Sequence, residues 1–313
     1  MHDIALQSLV GIEIGGTKLQ LAVGDSTGRI VERERLSVAP GEGGEGIRRQ
    51  IERALPNLIK HAKPAAVGVG FGGPVDRATG AICCSHQIEG WSEFPLRDWL
   101  KELSGLPVAV ENDANTAALA EATVGAGKGF DPMCWVNMGS GVGGGLIVNG
   151  AIYHGAAPGE AEIGHLRLNR DGDTVESSCS GWAVDAKIRE LKDTQPDSFL
   201  CELMDDREGG EAKHLPSALE RNDPAACRIL RRTADDLAFG LSHAVQLFHP
   251  EAIVMGGGLS LIGEPLRSAV NEALQRYVME AFTPGPELRI AALGEDAVTV
   301  GALLLAAQIG ART

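Results

Sequence analysis

Four glycine clusters, each set at the end of an apolar run, constrain this chain more than any other feature. They are Gly15-Gly16-Thr17-Lys18, Gly70-Phe71-Gly72-Gly73-Pro74, Gly139 to Gly145, and Gly256-Gly257-Gly258. Successive glycines permit positive φ and let backbone N–H groups converge on an anion. The 41 glycines among 313 residues are about twice the usual share, and they show no Gly-X-Y period, which excludes a collagen helix. Two clusters spell Gly-x-Gly-x-x-Gly, at Gly68/Gly70/Gly73 and Gly139/Gly141/Gly144. A dinucleotide fingerprint needs a helix directly after the turn. Pro74-Val75-Asp76 follows the first cluster and a strand pattern follows the second. A Walker A loop is also absent, because Gly129 follows Lys128 where Ser or Thr is required.

The segments around these clusters alternate in period. Ser8 to Val23 reads as two strands about a Gly-Gly turn, and Asp25-Ser26-Thr27-Gly28 leads into a third, forming a meander. Ile47, Ile51, Leu55, Leu58 and Ile59 mark a helix over 43–62, and Ala65 to Phe71 reads as a buried strand. A helix over 95–103, a strand at 108–110 and an Ala-rich helix over 115–124 follow. A second series has strands at 133–138 and 145–148 closed by Asn149-Gly150, a hairpin signal. The longest helical pattern covers 223–248. Then come a strand at 252–255, a helix over 264–278, a strand at 288–293 and a terminal helix over 298–309. Strands followed by helices, twice over, predict two α/β lobes. The expected division is 1–115, completed by the terminal helix 298–313, against 116–297.

Composition narrows the function. The net charge of −14, from 42 acidic and 28 basic residues, argues against a nucleic-acid partner. It leaves phosphate ligands open, since backbone N–H groups hold phosphate without a basic protein. No apolar run approaches the ~20 residues of a membrane span, and Met1-His2-Asp3-Ile4 lacks the basic start of a signal peptide. The six cysteines form no C-x-x-C pair and read as reduced thiols, so a cytoplasmic location and no membrane partner are expected.

The motifs Gly11-Ile12-Glu13-Ile14-Gly15-Gly16-Thr17-Lys18, Gly70 to Asp76, Glu111-Asn112-Asp113-Ala114-Asn115, Asn137 to Gly145, Glu162-Ile163-Gly164-His165 and Val254 to Gly258 stand in that order. Together they resemble the ROK family of sugar kinases and sugar-responsive regulators, from about Val10 to Ile309. The resemblance implies an α/β, two-lobed actin-like (ribonuclease-H-like) ATPase fold with a ligand cleft between the lobes. It implies ATP-dependent phosphorylation of a hexose or hexose derivative (glucose, fructose, mannose or an N-acetylhexosamine). The other class it admits is a sugar-binding sensor or regulator without catalysis, and some relatives use polyphosphate as donor. Family regulators carry a DNA-binding domain before the first glycine loop. Only about ten residues precede Ile12 here, which favours the kinase.

Residue by residue, the resemblance makes Asp113 the general base. Its bland reading is a helix cap shared with Asn112. Gly73, Asn112, Asp113, Glu162, His165 and Glu176 are expected at the sugar, with Ser85 and His86 nearby in a variable loop. Gly15, Gly16, Thr17, Lys18, Ser140 and Gly141 are expected at the phosphates, and Gly257 and Gly258 under adenosine. Lys18 reads equally as a salt-bridged surface lysine. Glu13, where the family more often has Asp, is expected to reach Mg²⁺ through water. Many members also bind zinc through the His of Glu-x-Gly-His and three cysteines. No cysteine lies between His165 and Glu176 here, so no zinc is expected. A homodimer is expected from the resemblance alone.

Overall fold

The computed structural model describes residues 7–16, 18–85, 88–157, 159, 161–204 and 208–310. Thr17 and His86, both singled out above, lie outside the described residues. In chain order the strands and helices begin with β1 (Leu9–Ile14), β2 (Lys18–Gly24), β3 (Ile30–Ser37), α1 (Gly43–Ala62), β4 (Val67–Phe71), β5 (Val75–Asp76) and β6 (Ala81–Ile82). They continue with α2 (Leu96–Ser104), β7 (Val108–Asn112), α3 (Asp113–Val124), β8 (Met133–Met138), β9 (Val142–Val148) and β10 (Ala151–Ile152). Next are α4 (Val175–Cys179), α5 (Gly181–Arg189), α6 (Leu191–Thr194), α7 (Phe199–Glu202), α8 (Leu215–Glu220) and α9 (Pro224–Phe248). The last are β11 (Ala252–Gly256), α10 (Glu264–Leu274), β12 (Glu287–Ile290) and α11 (Ala297–Gly310).

The chain divides into two compact units. One comprises residues 1–128, 145–161 and 295–313, the other 129–144 and 162–294. The sequence reading divides the chain after 115, whereas the contacts keep 116–128 and 145–161 with the first unit. The reason is packing: α3 lies against α11, and β10 against α3.

The first unit holds a five-stranded sheet in the order β3-β2-β1-β4-β7. The meander pairs antiparallel, with Ile12 opposite Leu21, and β4 then runs parallel to both β1 and β7. Val10, Ile12, Val67 and Val69 are fully buried. On one side Ile47, Ile51 and Leu55 of α1 join this core at helical spacing. On the other, α11 packs on β1 and β4 at backbone distance. A Cβ at Gly68 would collide with the carbonyl oxygen of Ala302, and one at Gly301 with that of Thr116. Part of the glycine excess therefore serves helix packing rather than ligand loops, which periodicity alone does not reveal.

The second sheet has the order β10-β9-β8-β11-β12, and the division between units falls within β9. β11 runs parallel to β8 and β12. The hairpin signal is realised, with Asn149 at φ 54° and Gly150 at φ 70°. Asp223 caps the 25-residue α9 by accepting from Ala226 N–H at 2.8 Å, with Pro224 in its first turn. Helices α4 to α8 arise between 175 and 220, where no periodic pattern stands out. Each is four to nine residues long, too short for a period to register. No helix among the described residues is long and apolar enough to cross a membrane.

Candidate active site

In the first unit the glycine loops meet the Glu111-Asn112-Asp113 motif. β7 ends at Asn112, whose extended backbone (φ −62°, ψ 147°) makes it the N-cap of α3. Its Oδ1 accepts from Ala114 N–H at 2.9 Å and Asn115 N–H at 3.1 Å. Its Nδ2 donates to the Gly73 carbonyl at 3.2 Å, which ties the cap to the second glycine loop. The capping reading of Asn112 is thus realised, and the same side chain faces Gly73.

Asp113 opens α3. Its Oδ1 accepts from Ala114 N–H at 2.8 Å and Asn112 Nδ2 at 3.3 Å. Its Oδ2 would lie 3.5 Å from a Cβ placed on Gly72, and Gly15 Cα would be 3.6 Å from the same point. Gly72 donates to the Ile14 carbonyl at 2.9 Å. The fold therefore brings Gly15, Gly72, Gly73, Asn112 and Asp113 together from three separate stretches of sequence. A hollow of about 10 Å³ beside them is lined by Gly15, Gly16, Gly72, Ser85, Ile88 and Trp91 among others. Ser85 thereby lies beside the glycine loops.

Glu13 is buried in a polar network. Its Oε1 pairs with Lys18 Nζ at 2.9 Å, and its Oε2 accepts from Gln20 at 2.8 Å and Thr299 at 3.0 Å. Lys18 also donates to the Glu295 carbonyl at 3.3 Å. A carboxylate has about four acceptor positions. Three are filled here, so one Oε1 position fits a magnesium-bound water. Lys18 takes the salt-bridged form.

The second unit carries the other glycine loops. Between β8 and β9, Gly139 N–H donates to the Gly141 carbonyl at 2.9 Å, and Gly181 N–H to the Gly139 carbonyl at 2.7 Å. Glu176 Oε2 accepts from Val142 N–H at 2.9 Å, and a Cβ on Gly141 would strike that carboxylate. Glu176 therefore supports the loop expected at phosphate. Gly257, at φ 82°, lies against the backbone of Met138, while no heavy atom comes within 4 Å of a Cβ at Gly258. Ser140 and Gly258 line a pocket of about 490 Å³ together with Trp182, Lys213, Leu259 and Leu261. Trp182 and Leu261 expose 67% and 80% of their surface beside it. This mostly apolar pocket next to a glycine loop suits a nucleoside with its phosphates at the loop. Trp182 and Lys213 went unnoticed in the sequence because no motif surrounds them.

Glu162 precedes the single turn Ile163–His165 and His165 ends it, and both are exposed. Gly164 fixes that turn, since a Cβ there would strike the Val142 carbonyl. After it, the chain forms a tight hairpin. Arg167 bridges Thr174, and Asn169 Oδ1 accepts from the N–H groups of Asp171, Gly172 and Asp173. Thr174 and Ser177 then form a capping box on α4. Burial pushes the Cys179 thiol up to about 12, with Asp236 adding to the shift, so it is an inert core thiol. Among the described residues, no group of three or more His, Cys, Asp or Glu is placed to hold a metal ion.

The chain is similar to known proteins over nearly its whole length. The chain is 34% identical to a glucokinase of Halalkalibacterium halodurans over 307 residues, covering 93% of this chain and 92% of that protein. It is 30% identical to a glucokinase of Thermotoga maritima, covering 94% and 95%. A solved ROK glucokinase from Streptomyces griseus, in complex with glucose and AMPPNP, superposes with a TM-score of 0.84 at 33% identity, over 96% of this chain and 99% of that one. The fold is thus the two-lobed actin-like ATPase fold of these structural neighbours. Residues 9–309 match the ROK family, and with the motifs and fold in agreement the chain belongs to that family.

Proposed function

We propose that this sugar kinase transfers the γ-phosphoryl group of ATP to a hydroxyl of glucose, with Asp113 as general base. The observation that carries the reading is the β7–α3 turn, where Asp113 Oδ1 is held by Ala114 N–H and Oδ2 lies toward the glycine loops. A carboxylate within hydrogen-bond reach of an attacking hydroxyl accepts its proton as the bond to phosphorus forms. Phosphoryl transfer otherwise needs alignment and charge neutralisation, and rigid backbone donors supply both. The relatives named as glucokinases support glucose as acceptor.

Within this reading Gly73, Asn112, Glu162, His165 and Glu176 bind sugar hydroxyls. Glu176 can hold Val142 N–H and still accept from a hydroxyl, given the acceptor capacity of a carboxylate. Gly15, Gly16, Lys18, Ser140 and Gly141 face the phosphates, and Gly257 and Gly258 leave space for adenosine. Magnesium bound with ATP neutralises charge on the β- and γ-phosphates, and Glu13 would hold it through a water.

The test is a coupled ADP-release assay across glucose, fructose, mannose and N-acetylated hexosamines, repeated with polyphosphate as donor. Glucose-dependent turnover with ATP is expected. Asp113→Asn should lower kcat by about 10²–10⁴-fold while calorimetry still registers glucose binding. Absence of glucose-dependent turnover, or an unimpaired Asp113→Asn enzyme, overturns the assignment. The reading also includes a homodimer, on the family resemblance. Light scattering should then give about twice the 32.8 kDa chain mass, and a monomer mass refutes that part.

A further inference from the structure

Beneath the Asn112–Asp113 turn lies a polar chain that no motif predicts. Glu111, 6% exposed, is the last residue but one of β7. Its Oε1 accepts from Asn112 N–H at 2.9 Å and from Asn115 Nδ2 at 3.1 Å. Its Oε2 meets His154 Nε2 at 2.6 Å. His154 Nδ1 in turn meets Arg77 Nη1 at 3.1 Å. Glu111, Asn112 and Asn115 belong to the β7–α3 turn. His154 follows β10, and Arg77 follows β5.

Donor and acceptor chemistry fixes the imidazole. A guanidinium has donors only, so Nδ1 must be the acceptor for Arg77. Nε2 then carries the proton and donates to the carboxylate. The sequence of bonds runs from Arg77 to His154 and from His154 to Glu111, whose other oxygen collects the two donors of the turn. A protonated imidazole would set Nδ1–H against the Arg77 N–H and break the first link.

We propose that His154 is a positioning residue for the kinase reaction, holding Glu111, and through it the Asn112–Asp113 turn, in the neutral Nε2–H tautomer that Arg77 selects. The proposal rests on the reading of Asp113 as base. It adds a residue that touches no proposed substrate and comes from a segment about forty positions away. The groups facing the imidazole are Glu111 from β7 and Arg77 from the β5–β6 turn. Removing His154 leaves Glu111 Oε2 without this donor. A buried carboxylate that loses a partner is free to turn toward another donor, and the two donors on Oε1 move with it.

The variants are His154→Leu and His154→Gln. Leu fills space but neither donates nor accepts. Gln offers an N–H donor and a carbonyl acceptor and does not titrate. His154→Leu should lower kcat about tenfold, with the KM for ATP unchanged. His154→Gln should restore most of it. Equal kcat for the wild type and the Leu variant, or equal loss in Leu and Gln, overturns the proposal. Two readouts do not depend on turnover. Histidine ¹⁵N spectra, assigned by the signal missing in His154→Gln, should show Nε2–H and a bare Nδ1 near pH 8. Hydrogen exchange of residues 110–116 should quicken in His154→Leu and not in His154→Gln. An Nδ1–H tautomer, or exchange unchanged in both variants, refutes the positioning role. Absence of sugar-dependent turnover in the wild type refutes the kinase reading and leaves these two readouts to decide the role of His154.

Discussion

Asn112 shows how one residue serves two requirements. Its Oδ1 caps α3 and its Nδ2 holds the Gly73 carbonyl, so the helix start and the glycine loop share one side chain. Replacing an N-cap Asn by Ala costs about 1 kcal/mol. Asn112→Ala should lose that amount in urea melts, yet raise the KM for glucose far more than 1 kcal/mol of instability explains, because the Gly73 tether goes as well. Wild-type KM in a merely destabilised variant would reduce Asn112 to a cap. The motif Glu111-Asn112-Asp113 was legible in the sequence because its three polar residues sit between a strand pattern and an Ala-rich helix. His154 was not, since a lone histidine after a hairpin carries no local signal. Only the return of β10 alongside α3 brings it to Glu111.

Among the elements, α3 and α11 pack at backbone distance in the first unit. Their backbones approach so closely that a Cβ on Gly301 would strike the Thr116 carbonyl. Alanine in mid-helix gains up to ~1 kcal/mol in propensity over glycine. Overpacking costs about 1–3 kcal/mol, and a backbone carbonyl cannot swing aside as a side chain can. Gly301→Ala should therefore destabilise the protein in urea melts. It should also lower kcat, since α3 carries Asp113. A stabilised Gly301→Ala variant would mean the helices separate at little cost. The long amphipathic helices α1 and α9 were readable from spacing, and α11 from its length as an apolar run. The short helices α4 to α8 were not, because segments of four to nine residues gain their helicity from neighbours rather than from pattern.

Across the whole molecule, both sheets follow one plan, β3-β2-β1-β4-β7 and β10-β9-β8-β11-β12, although no sequence repeat announces it. A ligand that binds only the folded chain stabilises it by mass action, about 2.7 kcal/mol at a hundredfold excess over Kd. Glucose and an ATP analogue should each raise the melting temperature, and Asp113→Asn should keep the shift with glucose. Loss of the glucose shift in that variant would make Asp113 a binding group first. The sequence by itself determined the two-series α/β plan, the glycine loops at strand ends and the net negative charge of −14. These follow from local periodicity, from turn geometry and from charge, all of which act over a few residues. Tertiary structure alone decided which glycines face ligand loops and which, like Gly68 and Gly301, admit a helix. It also decided that Glu13 lies in a network with Lys18, Gln20 and Thr299, that Glu176 supports the loop at Val142, and that His154 stands behind the Asn112–Asp113 turn. Most of those contacts join residues tens to hundreds of positions apart, and the two short ones, Glu13 with Lys18 and with Gln20, need β1 to pair with β2, so no local pattern encodes such partners.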